Sequence, residues 1–320
     1  MTTKMIGTGS YLPEHVVSND DLVKLVDTSD EWIASRTGIR NRRIATKESG
    51  ADMAAAAARE ALRDAGMDGS EIDLILVATC SSDFQFPSTA CLVQKAINAT
   101  KAAAFDLSAA CSGFLFALHT AHAYICAGIY KNVLLVGVEV LSKLIDWKDR
   151  STCVLFGDGA GAAVVTAADH GLEGFVQWSD GAGGEVLTCP GRAMGNPWKE
   201  NASETGYIQM SGQEVFRFAV KKVPECIRQV TEKTGTKLET IDWFVLHQAN
   251  SRIIQSVAKR LGVLEEKFPM NMEQYGNTSA ASIPILLDEM NKKGMLQPGQ
   301  KIILSGFGAG LTWGAAQLEW

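Results

Sequence analysis

The chain has 320 residues, of which 46% are hydrophobic and 21% charged, and its formal net charge is −6. This composition is typical of a globular protein with a sizeable core and excludes fibrous and disordered classes, while the acidic balance disfavours nucleic acid as the main partner. Seven cysteines without a CxxC pair, and an N-terminus unlike a signal peptide, predict reduced thiols in the cytoplasm. No apolar run is long enough to predict a membrane span.

Short apolar runs alternate with helical patterns along the chain, as in an α/β protein. In chain order we predict a helix at 51–66, a strand at 72–78, a helix at 112–127, a strand at 134–137, a helix at 212–234, a strand at 241–247, a helix at 279–293 and a strand at 303–306. The paired strands in the two halves are 169 residues apart. Chance similarity of apolar strings is the alternative, but two matches in one register favour an internal duplication, with halves 1–170 and 171–320.

Cys111 is the first candidate for chemistry. It follows the apolar run Phe105-Asp106-Leu107 and small residues, and a helix is expected to begin at or just after it. The N–H groups and dipole at a helix N-terminus favour an anion, so this position predicts a lowered thiol pKa. A buried structural cysteine is the plain alternative.

His247 and Asn277 come from the second half. His247 ends the strand 241–247, where strand ends deliver side chains to a crevice, and Asn277 precedes the helix that matches the one after Cys111. A satisfied core histidine and a helix-capping asparagine are the alternatives. His119 and His122 lie on one helix face, but no acidic or thiol ligand set accompanies them, so we predict no metal site.

Two glycine-rich segments remain. The turn 306–314 lets backbone N–H groups approach a substrate oxygen, as an oxyanion hole requires. The segment 156–161 superficially suggests a nucleotide loop, but Ala162 to Val165 are typical of a strand, so we interpret it as a hairpin turn.

Together these motifs closely resemble the β-ketoacyl-acyl-carrier-protein synthase III family of thiolase-like condensing enzymes, over essentially the whole chain. The matching strings are Asp30-Glu31-Trp32-Ile33, Arg36-Thr37-Gly38-Ile39, Phe86-Pro87-Ser88, the segment around Cys111, Phe156-Gly157-Asp158-Gly159-Ala160-Gly161-Ala162, His247-Gln248-Ala249-Asn250, Tyr275-Gly276-Asn277-Thr278-Ser279 and the last glycine turn. The resemblance implies a five-layered αβαβα fold with an internal duplication. It also implies decarboxylative condensation of an acyl-coenzyme A starter with malonyl-acyl-carrier protein, without a cofactor.

The resemblance assigns residue roles as well. Cys111, His247 and Asn277 match the catalytic triad, and the backbone N–H groups of Cys111 and Ala309 match the oxyanion hole. Trp32, Arg36, Arg150, Gly212 and Asn250 match contacts to coenzyme A or its pantetheine arm, and the segment Gln248, Ala249, Asn250, Ser251 and Arg252 matches contacts to the carrier protein. Phe86 matches a residue that closes the acyl pocket of a partner chain, which predicts a homodimer. The middle residue of the turn 308–310 is alanine, where relatives more often have glycine.

Four alternatives to this function stay open from the sequence. A thiolase would need a second cysteine near the C-terminus, and the last cysteine here is Cys226. A synthase-III-like acyltransferase, or a condensing enzyme of secondary metabolism, would differ in its partners. A non-catalytic relative commonly lacks the nucleophile. An NAD-linked dehydrogenase has only the string 157–161 in its favour.

Overall fold

The computed structural model describes residues 1–191, 198 and 206–320. Within them the strands are β1 (Thr2–Tyr11), β2 (Val16–Ser18), β3 (Asn41–Arg43), β4 (Leu74–Ala78), β5 (Ala103–Leu107), β6 (Asn132–Glu139), β7 (Gly159–Ala168), β8 (Leu172–Ser179), β9 (Leu187–Thr188), β10 (Gln209–Met210), β11 (Trp243–Leu246), β12 (Lys301–Gly308) and β13 (Thr312–Glu319). The helices are α1 (Asn19–Leu22), α2 (Asp30–Thr37), α3 (Gly50–Ala65), α4 (Thr89–Ala96), α5 (Gly113–Cys126), α6 (Arg150–Cys153), α7 (Gly212–Thr234), α8 (Ser251–Leu261), α9 (Met272–Tyr275) and α10 (Ser282–Lys292). No described helix has both the length and the apolar character needed to cross a bilayer.

Two sheets repeat one topology. The first has the order β1-β7-β6-β4-β5 and the second the order β11-β12-β13-β8. In the first, Leu74 of β4 lies opposite Val133 of β6, and in the second Trp243 lies opposite Ile302, both 169 residues further along. The predicted duplication is therefore visible in the strand register itself. The division of the chain at residue 170 stays a prediction.

The hydrophobic core explains the layers. Alternate residues of each strand face opposite sides, so each sheet presents two apolar surfaces. One apolar cluster joins the first sheet to α3 and α4, and another joins the second sheet to α7 and α8. A third cluster contains α5 and α10 between the inner faces of both sheets. The order is helices, sheet, helices, sheet, helices.

Helix ends follow local sequence. Gly66, Gly128, Gly235 and Gly294, which stand at or directly after the ends of the four predicted helices, have φ values of 65°, 70°, 68° and 66°. This left-handed conformation costs glycine little and closes the last helical turn. The four predicted helices and four predicted strands are confirmed, with ends shifted by three residues or fewer.

One local prediction is wrong. The segment 156–161 is not a hairpin turn. It leads into β7, which pairs with β6 and β1, and the connection from β6 to β7 is too long for a hairpin because it contains α6. Phe156 instead forms an isolated parallel bridge with Asn277. The turn-like glycines serve a long-range contact, which short-range pattern reasoning does not detect.

Candidate active site

The central helices bring the three candidate residues together. Cys111 lies in the short 3-10 turn 110–112 that precedes α5, and Asn277 lies just before the corresponding turn 279–281 and α10. His247 follows β11 directly. All three line one cavity of about 550 Å³, and each is at least nine-tenths buried. Residues far apart in sequence thus meet where the two inner helices begin.

The cavity extends from Cys111 to the protein surface. Trp32, Arg36, Gly212 and Asn250, four of the five residues matched to coenzyme A contacts, also line it. The fifth, Arg150, covers the indole ring of Trp32, and the guanidinium carbons of Arg150 and Arg36 both lie 4.9 Å from the ring centroid. The Asn250 amide donates a hydrogen bond to the Arg36 carbonyl oxygen (3.0 Å), which ties α8 to α2.

His247 is held as a neutral imidazole. Its Nδ1 lies 2.7 Å from Ser282 Oγ, and its ring packs edge-on against Phe307 with centroids 5.3 Å apart. Complete burial lowers its pKa to about 3, because a charged imidazolium has no water or acid to stabilise it there. At neutral pH the ring therefore carries one proton and no charge.

The Asn277 carboxamide has a defined orientation. Its Oδ1 accepts the backbone N–H of Ser279 (2.9 Å). The backbone N–H of Asn277 donates to Leu155 O (2.9 Å), and the backbone carbonyl oxygen of Asn277 accepts the Gly157 N–H (3.0 Å). These bonds fix the backbone from both sides and leave the amide NH₂ as a donor toward the cavity.

The Cys111 thiol differs from the prediction. Burial raises its pKa to about 12, although the Ser279 side chain hydrogen-bonds the sulfur and acts in the opposite direction. Loss of hydration outweighs the N-terminal position beside α5 that predicted a lowered value. At neutral pH Cys111 is therefore a thiol.

Comparisons with known proteins agree over the whole chain. The 3-oxoacyl-[acyl-carrier-protein (ACP)] synthase III family model matches residues 105–184, and the model of its C-terminal part matches residues 231–320. A β-ketoacyl-[acyl-carrier-protein] synthase III of Clostridium acetobutylicum is 52% identical, covering 100% of this chain and 99% of the relative. The chain belongs to the β-ketoacyl-acyl-carrier-protein synthase III family.

Solved structures place the synthase III chain in the thiolase-like fold. The 3-oxoacyl-[acyl-carrier-protein] synthase III of Aquifex aeolicus matches with a TM-score of 0.94 and 48% identity, covering 99% of this chain and 100% of that chain. The priming β-ketosynthase of the R1128 polyketide biosynthetic pathway matches with a TM-score of 0.93 and 39% identity, covering 99% and 96%. The predicted fold class and the assignment to condensing acyltransferases are confirmed.

Within this synthase III chain, one of the residues matched to carrier-protein contacts is buried. Gln248 is only 1% exposed. Its amide NH₂ donates to Leu246 O (2.9 Å), and its side-chain oxygen accepts the Asn271 N–H (3.0 Å). Ala249 is half-buried and lines the cavity, whereas Arg252 is exposed. Gln248 therefore braces the loop before α8, and its contact with the carrier protein stays a prediction.

The glycine turn beside the synthase III nucleophile needs no glycine at its centre. Gly310 has φ 135°, whereas Ala309 has no positive φ, so alanine adds no strain of that kind. Ala309 lines a second cavity of about 80 Å³ together with Cys111. Phe86 is 86% exposed and does not line either cavity within one chain. No group of three or more His, Cys, Asp or Glu side chains in the described ranges is arranged to hold a metal ion.

Gly308 tests how tightly this turn packs against Cys111. A Cβ at Gly308 would lie 2.6 Å from Cys111 N and 3.2 Å from Ser112 N, both backbone atoms that cannot rotate away. We expect Gly308→Ala to destabilise the protein by about 1–3 kcal/mol and to reduce Cys111 acylation. Thermal unfolding of this variant beside Gly181→Ala, where a Cβ meets nothing within 4 Å, measures the effect. Equal melting temperatures for the two variants would contradict it.

Proposed function

We propose that Cys111, His247 and Asn277 carry out the condensation, with Cys111 as nucleophile. Cys111 attacks the thioester of an acyl-coenzyme A and retains the acyl group, which divides the reaction into two half-reactions. Malonyl-acyl-carrier protein then enters the same cavity, loses CO₂ and attacks the acyl-Cys111 thioester. The observation that supports this is the arrangement of all three groups around one cavity that reaches the surface.

Decarboxylation places negative charge on the malonyl thioester oxygen, and two neutral donors face the cavity to meet it. We assign the His247 ring proton to Nε2, with the Ser282 hydroxyl donating to Nδ1 (2.7 Å) while its oxygen accepts the Gln248 N–H (3.4 Å). The Asn277 NH₂ is the second donor. Each donor aimed at a developing oxyanion contributes about 3 kcal/mol. The Cys111 and Ala309 N–H groups are proposed to hold the oxyanion of the condensation step.

The outer part of the cavity is proposed to bind coenzyme A and the carrier protein. Trp32 and Arg150 would hold the adenine, and Arg36 a phosphate, so that the pantetheine arm passes Gly212 and Asn250 toward Cys111. Arg150 covers the Trp32 ring, so an adenine bound between the two would take the place now filled by the guanidinium group. Exposed Arg252 at the rim suits the acidic carrier protein.

The assay for this function is direct. Intact mass after incubation with a panel of acyl-coenzyme A esters should show one added acyl group and reveal the preferred starter. Adding malonyl-acyl-carrier protein should then release one CO₂ per 3-oxoacyl product. Release of coenzyme A without a mass increase on the protein would contradict the covalent route.

A role in secondary metabolism is the second candidate, favoured by the similarity to the R1128 priming β-ketosynthase. The two candidates differ in the partner of the acyl-enzyme. Consumption of malonyl groups from the fatty-acid carrier protein supports initiation of fatty acid synthesis. Faster turnover with malonyl-coenzyme A, or with another carrier protein, supports the second candidate.

A cytoplasmic location is proposed because the seven cysteines are all unpaired. A homodimer is proposed from the exposed edge of the first sheet. Its edge strand β5 is largely exposed and carries Phe105 (38% exposed), and Phe84 and Phe86 are 56% and 86% exposed. Asp106 accepts two N–H groups at the start of α4 (2.8 and 2.7 Å), which holds this segment against β5. An exposed edge strand with exposed aromatic side chains invites pairing with a second copy.

We therefore expect a dimer in sedimentation velocity at assay concentration. Phe105→Lys should shift the protein toward the monomer, because it places a charge on the pairing edge. Ile129→Lys, at a residue that is 59% exposed outside this surface, is the matched control. A fully active monomer would refute the dimer and the use of Phe86 as a pocket lid.

A further inference from the structure

Glu139 is a buried carboxyl group beside Cys111 that none of the roles above uses. It ends β6 and is 0% exposed. Its oxygens accept the Ser81 hydroxyl (2.5 Å), the Cys80 backbone N–H (3.1 and 3.3 Å) and the Ser279 hydroxyl (3.1 Å). A longer bond comes from the Thr79 hydroxyl (3.4 Å). The carboxyl group is thus held firmly at the base of the nucleophile turn.

The charge of Glu139 is not balanced by a cation. None of the ion pairs in the described part of the chain includes Glu139, and nearby Lys143 pairs with Asp83. Burial raises the pKa of Glu139 to about 7, and its hydrogen bonds only partly offset the lost hydration. An uncompensated carboxylate at this depth is costly, so its retention points to a use.

Ser279 connects this carboxyl group to both catalytic side chains. Its hydroxyl donates to Glu139 Oε1, and its N–H holds Asn277 Oδ1. Its side chain lines the small second cavity together with Cys111 and lowers the pKa of that thiol. Ser279 has φ 50°, and Ala110, which lies 169 residues earlier, has φ 46°. The left-handed conformation is unfavourable for both residues, and the surrounding contacts enforce it.

The thiol needs an acceptor for its proton. A neutral His247 with a pKa near 3 cannot accept a second proton from the thiol at physiological pH, and the thiol itself is desolvated. The titratable groups that face Glu139 are Cys111, from the turn before α5, and Cys80, from the segment after β4, whose pKa burial also raises. The turn 279–281, on the third side, is Ser-Ala-Ala and contributes no titratable group.

We propose that Glu139 is a positioning residue that accepts the Cys111 proton through Ser279, so that thiol and carboxyl share one buried negative charge. The Cys111 S–H bond breaks as Ser279 Oγ takes that proton, and the hydroxyl passes its own proton to Glu139 Oε1. One S–H and one O–H bond break, two O–H bonds form, and the net charge stays −1. After acyl transfer, Glu139 returns the proton through the same hydroxyl to the departing coenzyme A sulfur, which completes the exchange of thiol for thioester. This inference rests on the proposed role of Cys111 as nucleophile.

A shared charge has a distinctive pH profile. Below pH about 7 the pair holds two protons, and no thiolate forms. Above it the pair holds one proton, and the thiolate fraction no longer depends on pH. Alkylation of Cys111 by iodoacetamide should therefore rise through an inflection near pH 7 and then level off. Lys95 and Lys101 place Cys80 and Cys111 on different tryptic peptides, and fragment-ion mass spectrometry distinguishes Cys111 from Cys126, which lies on the same peptide (102–131).

Glu139→Gln keeps the shape of the side chain but cannot accept the proton. We expect this variant to lose the inflection, so that the rate of Cys111 labelling keeps rising with hydroxide concentration. Above pH 7, Cys111 labelling in the variant should also be slower than in the unmodified protein. Asp288→Asn is the matched control, since Asp288 is 1% exposed, accepts the Thr8 and Ser10 hydroxyls and does not contact the cavity. It should keep both the inflection and the plateau.

Ser279→Ala removes the bridging hydroxyl and keeps the backbone N–H that holds Asn277. It should also lose the inflection, and it replaces Glu139→Gln as the test if that variant does not fold. An inflection that persists in either folded variant, or that is missing from the unmodified protein, overturns the inference. Labelling needs no acyl substrate, so these outcomes leave the proposed function untouched, whereas failure of Cys111 to load an acyl group would overturn the proposed function itself.

Discussion

Replacing Cys111 with alanine is expected to abolish transfer of the acyl group from acyl-coenzyme A to the protein and to lower condensation by about 10⁴-fold or more. Cys111 lines both the large cavity and the small one beyond it, so its sulfur lies between the entry path and the space for an acyl chain. Of the other thiols, Cys80 and Cys189 line only the small cavity, and Cys153 and Cys226 line neither, so Cys111 alone among the cysteines faces both. Intact mass after incubation with acyl-coenzyme A measures the loss.

The same variant should retain malonyl decarboxylation, because His247 and Asn277 are unchanged. Cys226→Ala is the matched control, since it removes a buried thiol from α7 and leaves the cavity intact. It should load acyl groups normally. Acyl transfer at an undiminished rate in Cys111→Ala would mean that another group is the nucleophile.

Replacing His247 with alanine is expected to spare acyl loading and to slow decarboxylation by about 10²–10³-fold, the usual effect of removing one oxyanion donor. The imidazole meets the malonyl oxygen as a neutral donor, because burial has lowered its pKa to about 3. His247 becomes charged only when the pH falls toward 3. Decarboxylation should therefore not decline through protonation of His247 as the pH falls through 6.5, the pKa of an unperturbed histidine. Release of labelled CO₂ from malonyl-acyl-carrier protein, followed against pH, measures both effects.

His119 provides the control for this substitution. It is also buried, at 5% exposed, but it stacks on Phe175 away from the main cavity, with ring centroids 4.1 Å apart. His119→Ala should lower stability without a selective effect on decarboxylation. Normal CO₂ release in His247→Ala would remove His247 from its proposed role. Loss of acyl loading together with CO₂ release would point to a general structural defect.

Pattern reasoning succeeded where the signal is local or repeated. The four predicted helices end at or next to Gly66, Gly128, Gly235 and Gly294, and the left-handed φ value of each glycine explains why the helix ends there. The 169-residue offset reappears unchanged in the strand register. Cys111, His247 and Asn277 were identified because each stands at a strand end or helix start, and the fold brings such positions to one place.

Pattern reasoning failed where a residue's role depends on a distant partner. Gln248 was assigned to the surface because it sits in the motif with Arg252, yet its amide points inward to Leu246 and Asn271. The segment 156–161 has the composition of a turn, but Phe156 pairs with Asn277, which is remote in sequence. Glu139 was not considered, since an acidic residue at the end of an apolar strand carries no motif.

The amino-acid sequence by itself determined the alternation of strands and helices, the repeat that doubles it, and the three side chains proposed for chemistry, because these depend on short-range periodicity and residue type. Only the tertiary structure decided their electrostatic state. Burial raises the pKa of Cys111 and Glu139 and lowers that of His247. These shifts arise from loss of hydration, which depends on atoms contributed by both halves of the chain and is not encoded near any one of the three residues.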